Sequence, residues 1–168
     1  MRAYFFGNMY LSSIQQGIQA AHVTAELFMK SHSEEGNMYL LDWANNHKTM
    51  ILLNAGYSDE ISRLIEFFDT TDNPYPWASF NEGQDALDGA LTCVGIVVPE
   101  KIYRFAELLR NPDIKRTHAA ESVVWNIETP SDYEKLSPDW KDYLRLIKEV
   151  SVWDGFLAER LNEYGLAK

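Results

Sequence analysis

A short apolar strand that runs directly into an amphipathic helix is the feature that most constrains the fold of this chain. Arg2–Gly7 is expected to be a buried strand, and the stretch Tyr10–Met29 is expected to contain the first helix. A serine followed three residues later by a glutamine makes a capping box, which marks the start of a helix. Two such pairs are present: Ser12 with Gln15, and Ser13 with Gln16.

Two stripes run along this predicted helix, one apolar and one polar. The apolar side chains recur at helical spacing and are expected to face the core: Ile14, Ile18, Ala21, Ala25 and Phe28. The polar side chains form a separate stripe, interpreted most simply as a solvated face: Gln15, Gln19, His22 and Glu26. Gly17 costs about 1 kcal/mol inside a helix, which indicates close approach by another backbone or a ligand.

Strands and helices continue to alternate through residue 110. Strands are predicted at Thr49–Leu53, Trp77–Phe80 and Ala90–Val98, and helices at Asn37–Asn46, Ser58–Phe68 and after Pro99. Beyond residue 110, helix starts are predicted at Thr129-Pro130, Ser137-Pro138 and Ser151, with Val123–Ile127 as a strand or an ordered connection. The sequence therefore predicts an α/β domain at 1–110 and a helical extension at 111–168 that packs on it.

This order of segments resembles the type-2 peptidyl-tRNA hydrolase family. The first strand, the serine-rich turn and the Q-A-A-H of Gln19–His22 are similar to a family segment with a lysine-glycine-lysine turn followed by Gln-x-x-His. The run A-L-T-C-V-G-I-V-V-P at Ala90–Pro99 resembles the family's last strand. Lys48–Asn54 and Ser58–Phe68 resemble its second strand and second helix. The resemblance implies a small mixed β-sheet flanked by helices, and, since the family is usually dimeric, a homodimer.

The resemblance also implies a catalytic group, and part of that group is missing here. The family uses a lysine in the turn before the first helix, an aspartate at the end of the third strand and a nearby threonine. Alignment on Gln19 and His22 puts the two lysine positions at Ser13 and Gln15, neither of which is charged. Two carboxylates lie near the end of the predicted third strand. If the chain is an active hydrolase, the catalytic candidates are therefore His22, Glu82 and Asp85.

The charge of the chain argues against a nucleic-acid substrate. The formal net charge is −10, from 15 Lys and Arg against 25 Asp and Glu. Residues 1–100 hold four basic and thirteen acidic side chains, a net of −9, whereas nucleic-acid affinity comes largely from Lys and Arg. We therefore expect weak or no binding of nucleic acid. Any such binding would depend on the basic cluster formed by Lys101, Arg104, Arg110, Lys115 and Arg116.

Neutral polar groups around the start of the first helix are still able to bind a ligand. A helix N-terminus offers backbone N–H groups, and serine hydroxyls and glutamine amides add uncharged donors and acceptors. Such groups suit a phosphate or the edge of a nucleobase, and Tyr10 and Trp77 offer aromatic faces for stacking. The predicted ligand-binding residues are Tyr10, Ser12, Ser13, Gln15, Gln19, His22 and Glu82.

The sequence predicts no cofactor and no metal site. The polar loop at 81–89 does not have the spacing of a calcium loop. The single cysteine, Cys93, lies in an apolar strand and is expected to be a small core side chain. No apolar run approaches the ~20 residues that cross a bilayer, and the first residues lack a secretory signal. A cytoplasmic protein with no membrane contact is the expectation.

These observations are compatible with two functions from different classes. The first is a catalytically degenerate, hydrolase-like protein that binds a small nucleotide-like ligand in the former active-site cleft. Compact, acidic and divergent copies of cellular enzymes are typical of phage-encoded proteins, so we hypothesise a viral counter-defence protein that sequesters a nucleotide immune signal. The alternative is an active peptidyl-tRNA hydrolase with rearranged catalytic residues, and a pure protein–protein module is the third candidate. The missing turn lysine and the acidic charge of residues 1–100 favour the first.

Overall fold

The structure, a computed structural model, describes residues 1–119 and 133–167. Within these residues it contains four strands and eight α-helices. The predictions for Val123–Ile127 and for a helix start at Thr129-Pro130 lie outside the described residues. None of the described helices has both the length and the apolar composition that crossing a membrane requires.

The chain divides into two compact units. The first unit is formed by Met1–Pro99 together with Tyr164–Lys168, and the second by Glu100–Glu163. The sequence predicted a boundary near residue 110, which would leave the helix after Pro99 in the first domain. In the structure that helix falls in the second unit.

The first unit is built on a four-stranded mixed sheet, as predicted. Its strands are β1 (Arg2–Gly7), β2 (Met50–Asn54), β3 (Trp77–Asn81) and β4 (Leu91–Val98), in the order β2-β1-β4-β3. β1 runs parallel to β2 and antiparallel to β4, and β3 is antiparallel to β4. The central strands β1 and β4 are almost wholly buried, which explains why both read as continuous apolar runs. The last residues of β1, β2 and β3 and the first of β4 meet at one end of the sheet.

Helices flank this sheet on both faces. The first unit contains α1 (Ser13–Met29), α2 (Glu34–Asp42), α3 (Ser58–Phe68) and the short α4 (Gln84–Leu87). α1 and α2 share one core with the sheet, and a π-helical turn at Trp43–His47 continues α2. On the opposite face, Phe68 of α3 lies against Phe6 with the ring centroids 5.9 Å apart. α4 occupies part of the connection between β3 and β4, which the sequence predicted as loop.

The face that α1 buries is not the one predicted. Ile14 is 79% exposed, and Ile18 and Phe28 are each 49% exposed. Ala21 and Ala25 are exposed as well, so the whole predicted core stripe faces solvent. The residues of α1 that are buried instead are Gln16, Gln19, Ala20, Val23 and Leu27. The predicted polar stripe is therefore only partly solvated, because Gln19 belongs to the buried face.

A glycine in β4 allows α1 to lie so close to the sheet. A Cβ on Gly95 would stand 2.8 Å from the ring of Phe5 and 2.9 Å from Val23 of α1, distances that real Cβ contacts do not show. The glycine that the sequence singled out behaves differently. A Cβ on Gly17 would meet no atom within 4 Å, so Gly17 does not mark a close approach in this chain.

The second unit is helical over its described residues. It contains α5 (Glu100–Leu108), α6 (Pro112–Ala119), α7 (Pro138–Leu146) and α8 (Val152–Glu163). The helix starts predicted at Ser137-Pro138 and Ser151 are confirmed, and each serine hydroxyl accepts a backbone hydrogen bond at the start of its helix. Phe105 stacks on Tyr143 in its core, with the centroids 5.8 Å apart. Phe156 of α8 is 55% exposed, although the apolar residues of this helix are expected to face the core.

Candidate functional site

Gln19 links the middle of α1 to strands β3 and β4. Its amide nitrogen donates to Glu82 Oε1 over 2.6 Å, and its oxygen accepts from the Thr92 hydroxyl over 3.0 Å. Gln19 and Thr92 are buried, and Glu82, the first residue after β3, is half-buried. Breaking either bond would leave a buried polar group unpaired, which costs about 1–3 kcal/mol. We call Gln19, Glu82 and Thr92 the Gln19 cluster.

His22 lies one helical turn beyond Gln19 and stands against Phe80. The two ring centroids are 4.4 Å apart and the ring planes are inclined at 55°. Phe80 also reaches the cluster through its backbone, because its carbonyl oxygen lies 3.2 Å from the Thr92 hydroxyl. His22 is exposed. It therefore places an accessible imidazole and an aromatic edge beside the Gln19 cluster.

Gly7-Asn8 is the turn that the sequence predicts before the first helix, and the side chain of Asn8, which is not among the predicted site residues, holds it in place. Its amide nitrogen donates to Ser58 Oγ over 3.0 Å and to the Leu91 carbonyl over 3.3 Å. Its oxygen accepts from the backbone N–H of Tyr10 over 3.1 Å, which makes an Asx turn. An asparagine directly after a strand-ending glycine was the signal available in the sequence. The turn is thus held by a neutral, buried side chain.

Ser12 and Gln15 are engaged with each other at the start of α1. The Gln15 N–H lies 3.4 Å from Ser12 Oγ, and the Ser12 N–H donates to Gln15 Oε1 over 3.0 Å. This is the first of the two predicted capping boxes. Gln16, the partner in the second, is buried: its Nε2 donates to the Leu11 carbonyl over 2.9 Å. Within residues 1–119 and 133–167, its Oε1 has no hydrogen-bond partner.

The remaining predicted residues lie at the surface. Tyr10 is 81% exposed, and its ring is 4.8 Å from that of Tyr57. Ser13 is the exposed first residue of α1, and Asp85 is exposed on α4. The structure therefore joins Gln19 directly to Glu82 and places His22 against the neighbouring Phe80, whereas Tyr10 lies against Tyr57 and Asp85 on α4.

The basic side chains of residues 1–99, a fully described segment, lie away from the Gln19 cluster. Arg2 pairs with Val98 at the opposite end of the sheet, and Lys48 precedes β2 at that same end. Lys30 follows α1, with its Nζ 3.0 Å from the ring centroid of Trp77, the first residue of β3. Arg63 makes ion pairs on α3 with Asp59 and Glu60. The end of the sheet that carries Glu82 therefore has a carboxylate and no cation from this segment.

The basic cluster of the second unit is largely paired with acids and amides of the same unit. Lys101 Nζ lies 2.9 Å from the buried Asp154, and Arg104 Nε lies 2.6 Å from Asp142. Arg110 donates to Asn162 over 2.9 Å, and Arg116 pairs with Asp113 over 2.5 Å. The hydrogen bond to Asp142 raises the pKa of the Arg104 guanidinium. Desolvation acts to raise the pKa of the Asp142 carboxyl, but its hydrogen bonds to Arg104 and Arg145 outweigh this effect and lower that pKa. Few of these cations remain for phosphates.

Cys93 is not a reactive group. It is completely buried in β4, and burial raises the pKa of its thiol to about 12. The thiolate, which is the nucleophilic form, is therefore nearly absent at neutral pH. This confirms that Cys93 is a core side chain.

Comparison with known proteins adds no further assignment to this site. The chain matches no protein-family model and no curated protein. Among the described residues, no three His, Cys, Asp or Glu side chains are grouped so that they could hold a metal ion.

Proposed function

We propose that this protein binds a small nucleotide-like ligand at the Gln19 cluster and does not hydrolyse peptidyl-tRNA. The observation that carries this proposal is the pairing of the Glu82 carboxylate with the uncharged amide of Gln19 over 2.6 Å. The resemblance implies a lysine ammonium near that carboxylate, and residues 1–99 place their basic side chains elsewhere. Ester hydrolysis depends on stabilising the oxyanion, and loss of one such donor lowers kcat about 10²–10³-fold. A site without that donor is better suited to binding than to turnover.

The groups around Glu82 favour the edge of a nucleobase as the bound part of the ligand. A carboxylate accepts hydrogen bonds from ring N–H and amino groups of a base, whereas it repels a phosphate. The rings of His22 and Phe80 supply a surface on which a base would stack. A phosphate attached to that base would be held by the start of α1, with Ser12, Ser13 and Gln15. This arrangement divides the predicted residues other than Tyr10 into two groups, one for each part of a nucleotide.

The biological role that follows from such binding is sequestration. A protein that holds a nucleotide without consuming it removes that nucleotide from solution. We propose that the ligand is a nucleotide immune signal and that the chain acts as a viral counter-defence protein. This role requires that the ligand be a nucleotide, so the nucleotide screen described below also tests it.

A thermal-shift screen of mononucleotides and cyclic nucleotides, followed by calorimetry, tests the proposal. Glu82→Gln should lower the affinity for the ligand about 5- to 150-fold, because one hydrogen bond to the base is lost. Its matched control is Asp85→Asn, a similar charge change on the exposed α4, which should leave the affinity unchanged. A screen in which no nucleotide raises the unfolding temperature would rule the proposal out. A nucleotide that binds Glu82→Gln as well as the wild type would show that the ligand lies elsewhere.

An active peptidyl-tRNA hydrolase is the second candidate, and one observation favours it. Glu82 directly follows β3, which is where the resemblance implies the catalytic aspartate. The exposed imidazole of His22 would then be the candidate base. Turnover of an N-blocked aminoacyl-tRNA that is abolished by Glu82→Ala and by His22→Ala would replace the binding proposal.

The homodimer implied by the resemblance is a further part of the proposal, and we assign it to α1. The exposed stripe from Ile14 to Phe28 is about 21 Å long at 1.5 Å per residue. Glu26 is the only charged residue in α1, although residues 1–100 carry a net charge of −9. Two acidic copies would therefore meet with little repulsion along this helix, where pairing would cover the apolar stripe.

A further inference from the structure

A second cleft lies in the first unit, between the end of α1 and the loop that precedes β3. Its volume is about 330 Å³, within the range typical of sites for small molecules. The Gln19 cluster lies at the last residue of β3, whereas this cleft lies at its first. The side chains that line it and matter here are Lys30, His32, Phe68, Asp69, Tyr75 and Trp77.

Local hydrogen bonds hold the walls of this cleft in place. His32 Nε2 lies 2.7 Å from the Leu27 carbonyl, and Ser33 Oγ accepts from the Gly36 N–H over 3.0 Å, which caps α2. In the facing loop, the Asn73 amide nitrogen donates to the Phe68 carbonyl over 2.8 Å. The Asn73 oxygen accepts a hydrogen bond from the backbone N–H of Tyr75 over 2.9 Å. Both walls are thus preorganised, which reduces the entropy that a ligand must offset.

The cleft carries one positive and one negative side chain that do not pair with each other. Lys30 and Asp69 both line it, yet in the described part of the chain neither makes an ion pair. The Lys30 ammonium is instead placed over the ring of Trp77. Partial burial lowers the pKa of Lys30, and the nearby Asp69 acts in the opposite direction. The Lys30 ammonium and the Asp69 carboxylate thus line one cleft without forming an ion pair with each other.

We infer that this cleft binds a small zwitterionic molecule of the amino-acid class, with its carboxylate on Lys30 and its ammonium on Asp69. An anionic ligand would be attracted by Lys30 but repelled by Asp69, and a cationic ligand would be attracted by Asp69 but repelled by Lys30. For either ligand the repulsion offsets the attraction. A ligand with both charges satisfies both side chains. Trp77, half-buried, adds an aromatic wall for an apolar or aromatic part of the ligand. This site is separate from the Gln19 cluster and does not depend on the function proposed there.

Isothermal titration of the full chain with three related compounds tests the inference. L-phenylalanine carries both charges, phenethylamine lacks the carboxylate, and 3-phenylpropanoate lacks the ammonium. We expect L-phenylalanine to bind at least about tenfold more tightly than either analogue, because each analogue leaves one charged side chain unpaired. L-leucine, titrated in parallel, reports whether the apolar wall requires an aromatic ligand.

Two variants identify which side chain meets which group of the ligand. Lys30→Met should remove the preference for L-phenylalanine over phenethylamine, and Asp69→Asn should remove its preference over 3-phenylpropanoate. Lys30→Arg keeps the positive charge and should retain binding, which separates a loss of charge from a loss of fold. The controls are Lys48→Met and Asp72→Asn, since neither residue lines the cleft. Both controls should bind as the wild type does.

The inference is overturned if neither L-phenylalanine nor L-leucine binds the wild-type chain. It is equally overturned if one analogue binds as tightly as L-phenylalanine, or if Lys30→Met and Asp69→Asn leave the preferences unchanged. Nucleotide binding at the Gln19 cluster is unaffected by any of these outcomes. Failure here and failure of the proposed function are therefore distinguished by which ligand, nucleotide or amino acid, fails to bind.

Discussion

The amide of Gln19 donates to the carboxylate of Glu82 over 2.6 Å and thereby ties the middle of α1 to the end of β3. The bond lies at the end of the sheet where the turn before α1 and the connection between β3 and β4 meet. A buried glutamine in this position has a structural role, because it crosslinks helix and sheet, and it also orients the carboxylate. The same side chain thus links the stability of the first unit to the proposed site.

Replacing Gln19 with Ala should destabilise the first unit by about 1–3 kcal/mol, because the buried Thr92 hydroxyl and the Glu82 carboxylate both lose a partner. Urea unfolding followed by circular dichroism measures this change. Glu26→Ala, on the same helix but exposed, is the matched control and should change the free energy of unfolding by less than about 0.5 kcal/mol. Equal effects of the two substitutions would contradict a structural role for Gln19.

The chain should show little or no cleavage of N-blocked aminoacyl-tRNA, because none of the basic side chains of residues 1–99 lies beside Glu82. Incubation with that substrate, followed by separation of charged and uncharged tRNA, measures the rate. Introducing a lysine at one of the positions that the resemblance implies, Ser13→Lys, should raise any residual rate if Glu82 is competent. A wild-type rate equal to that of a family enzyme would refute the binding proposal.

The strands and most helices could be predicted from the sequence, whereas the orientation of α1 could not. β1 was predicted with its observed bounds because a strand buried on both faces reads as an uninterrupted apolar run. For α1, hydrophobicity assigned Ile14 and Ile18 to the core. The structure buries Gln16 and Gln19 instead, because the Leu11 carbonyl just before the helix and the Glu82 carboxylate after β3 accept hydrogen bonds from their amides. Such partners are invisible to a pattern within one helix.

The candidate sites show the same difference between features that are local in sequence and features that depend on distant parts of the chain. Ser12 and Gln15 are neighbours in sequence, so their capping box could be predicted. Glu82 was found only as one of two carboxylates near a strand end, and the structure distinguishes it from Asp85 by its bond to Gln19. Lys30 and Asp69 lie far apart in sequence and carry no motif. Only the fold brings them to one cleft.

We predict negligible binding of tRNA by the whole chain at physiological salt. Four of the five cations in the basic cluster of the second unit are held by Asp154, Asp142, Asn162 and Asp113, which leaves Lys115 as the member without such a partner in the described residues. Fluorescence anisotropy with labelled tRNA measures the affinity as a function of salt concentration. Any residual binding should weaken when Lys115 is changed to Glu, and tight binding that survives this change would contradict the prediction.

Association through α1 should appear as a concentration-dependent dimer in sedimentation velocity. Ile18→Glu places a charge in the exposed stripe and should shift the protein towards the monomer. Gln15→Glu adds the same charge to the same helix outside the stripe and is the control. Higher salt should strengthen the wild-type dimer, because screening reduces repulsion between two acidic copies. A wild type that stays monomeric at every concentration, or an Ile18→Glu variant that still dimerises, would exclude this interface.

The stability of the first unit should fall at alkaline pH through Cys93. Its pKa is about 12 in the folded chain, against a usual value near 9.0, so folding favours the protonated thiol. The contribution of the protonated Cys93 thiol to the free energy of unfolding is fully present below pH 9 and is lost progressively between pH 9 and 12. At about pH 10.5 the loss should reach about 2 kcal/mol at most. Other groups also titrate in this window, so the comparison must be made with a variant that lacks only the thiol.

Cys93→Ala is that variant, and its unfolding free energy should decline less steeply with pH than that of the wild type. Urea unfolding of both proteins at pH 8, 9, 10 and 10.5 measures the two slopes. The thiol should also fail to react with a thiol reagent such as DTNB until the chain unfolds, because the buried thiol ionises only in the unfolded state. Parallel slopes, or rapid reaction of the folded protein at pH 8, would show that Cys93 is accessible and that the first unit opens around β4.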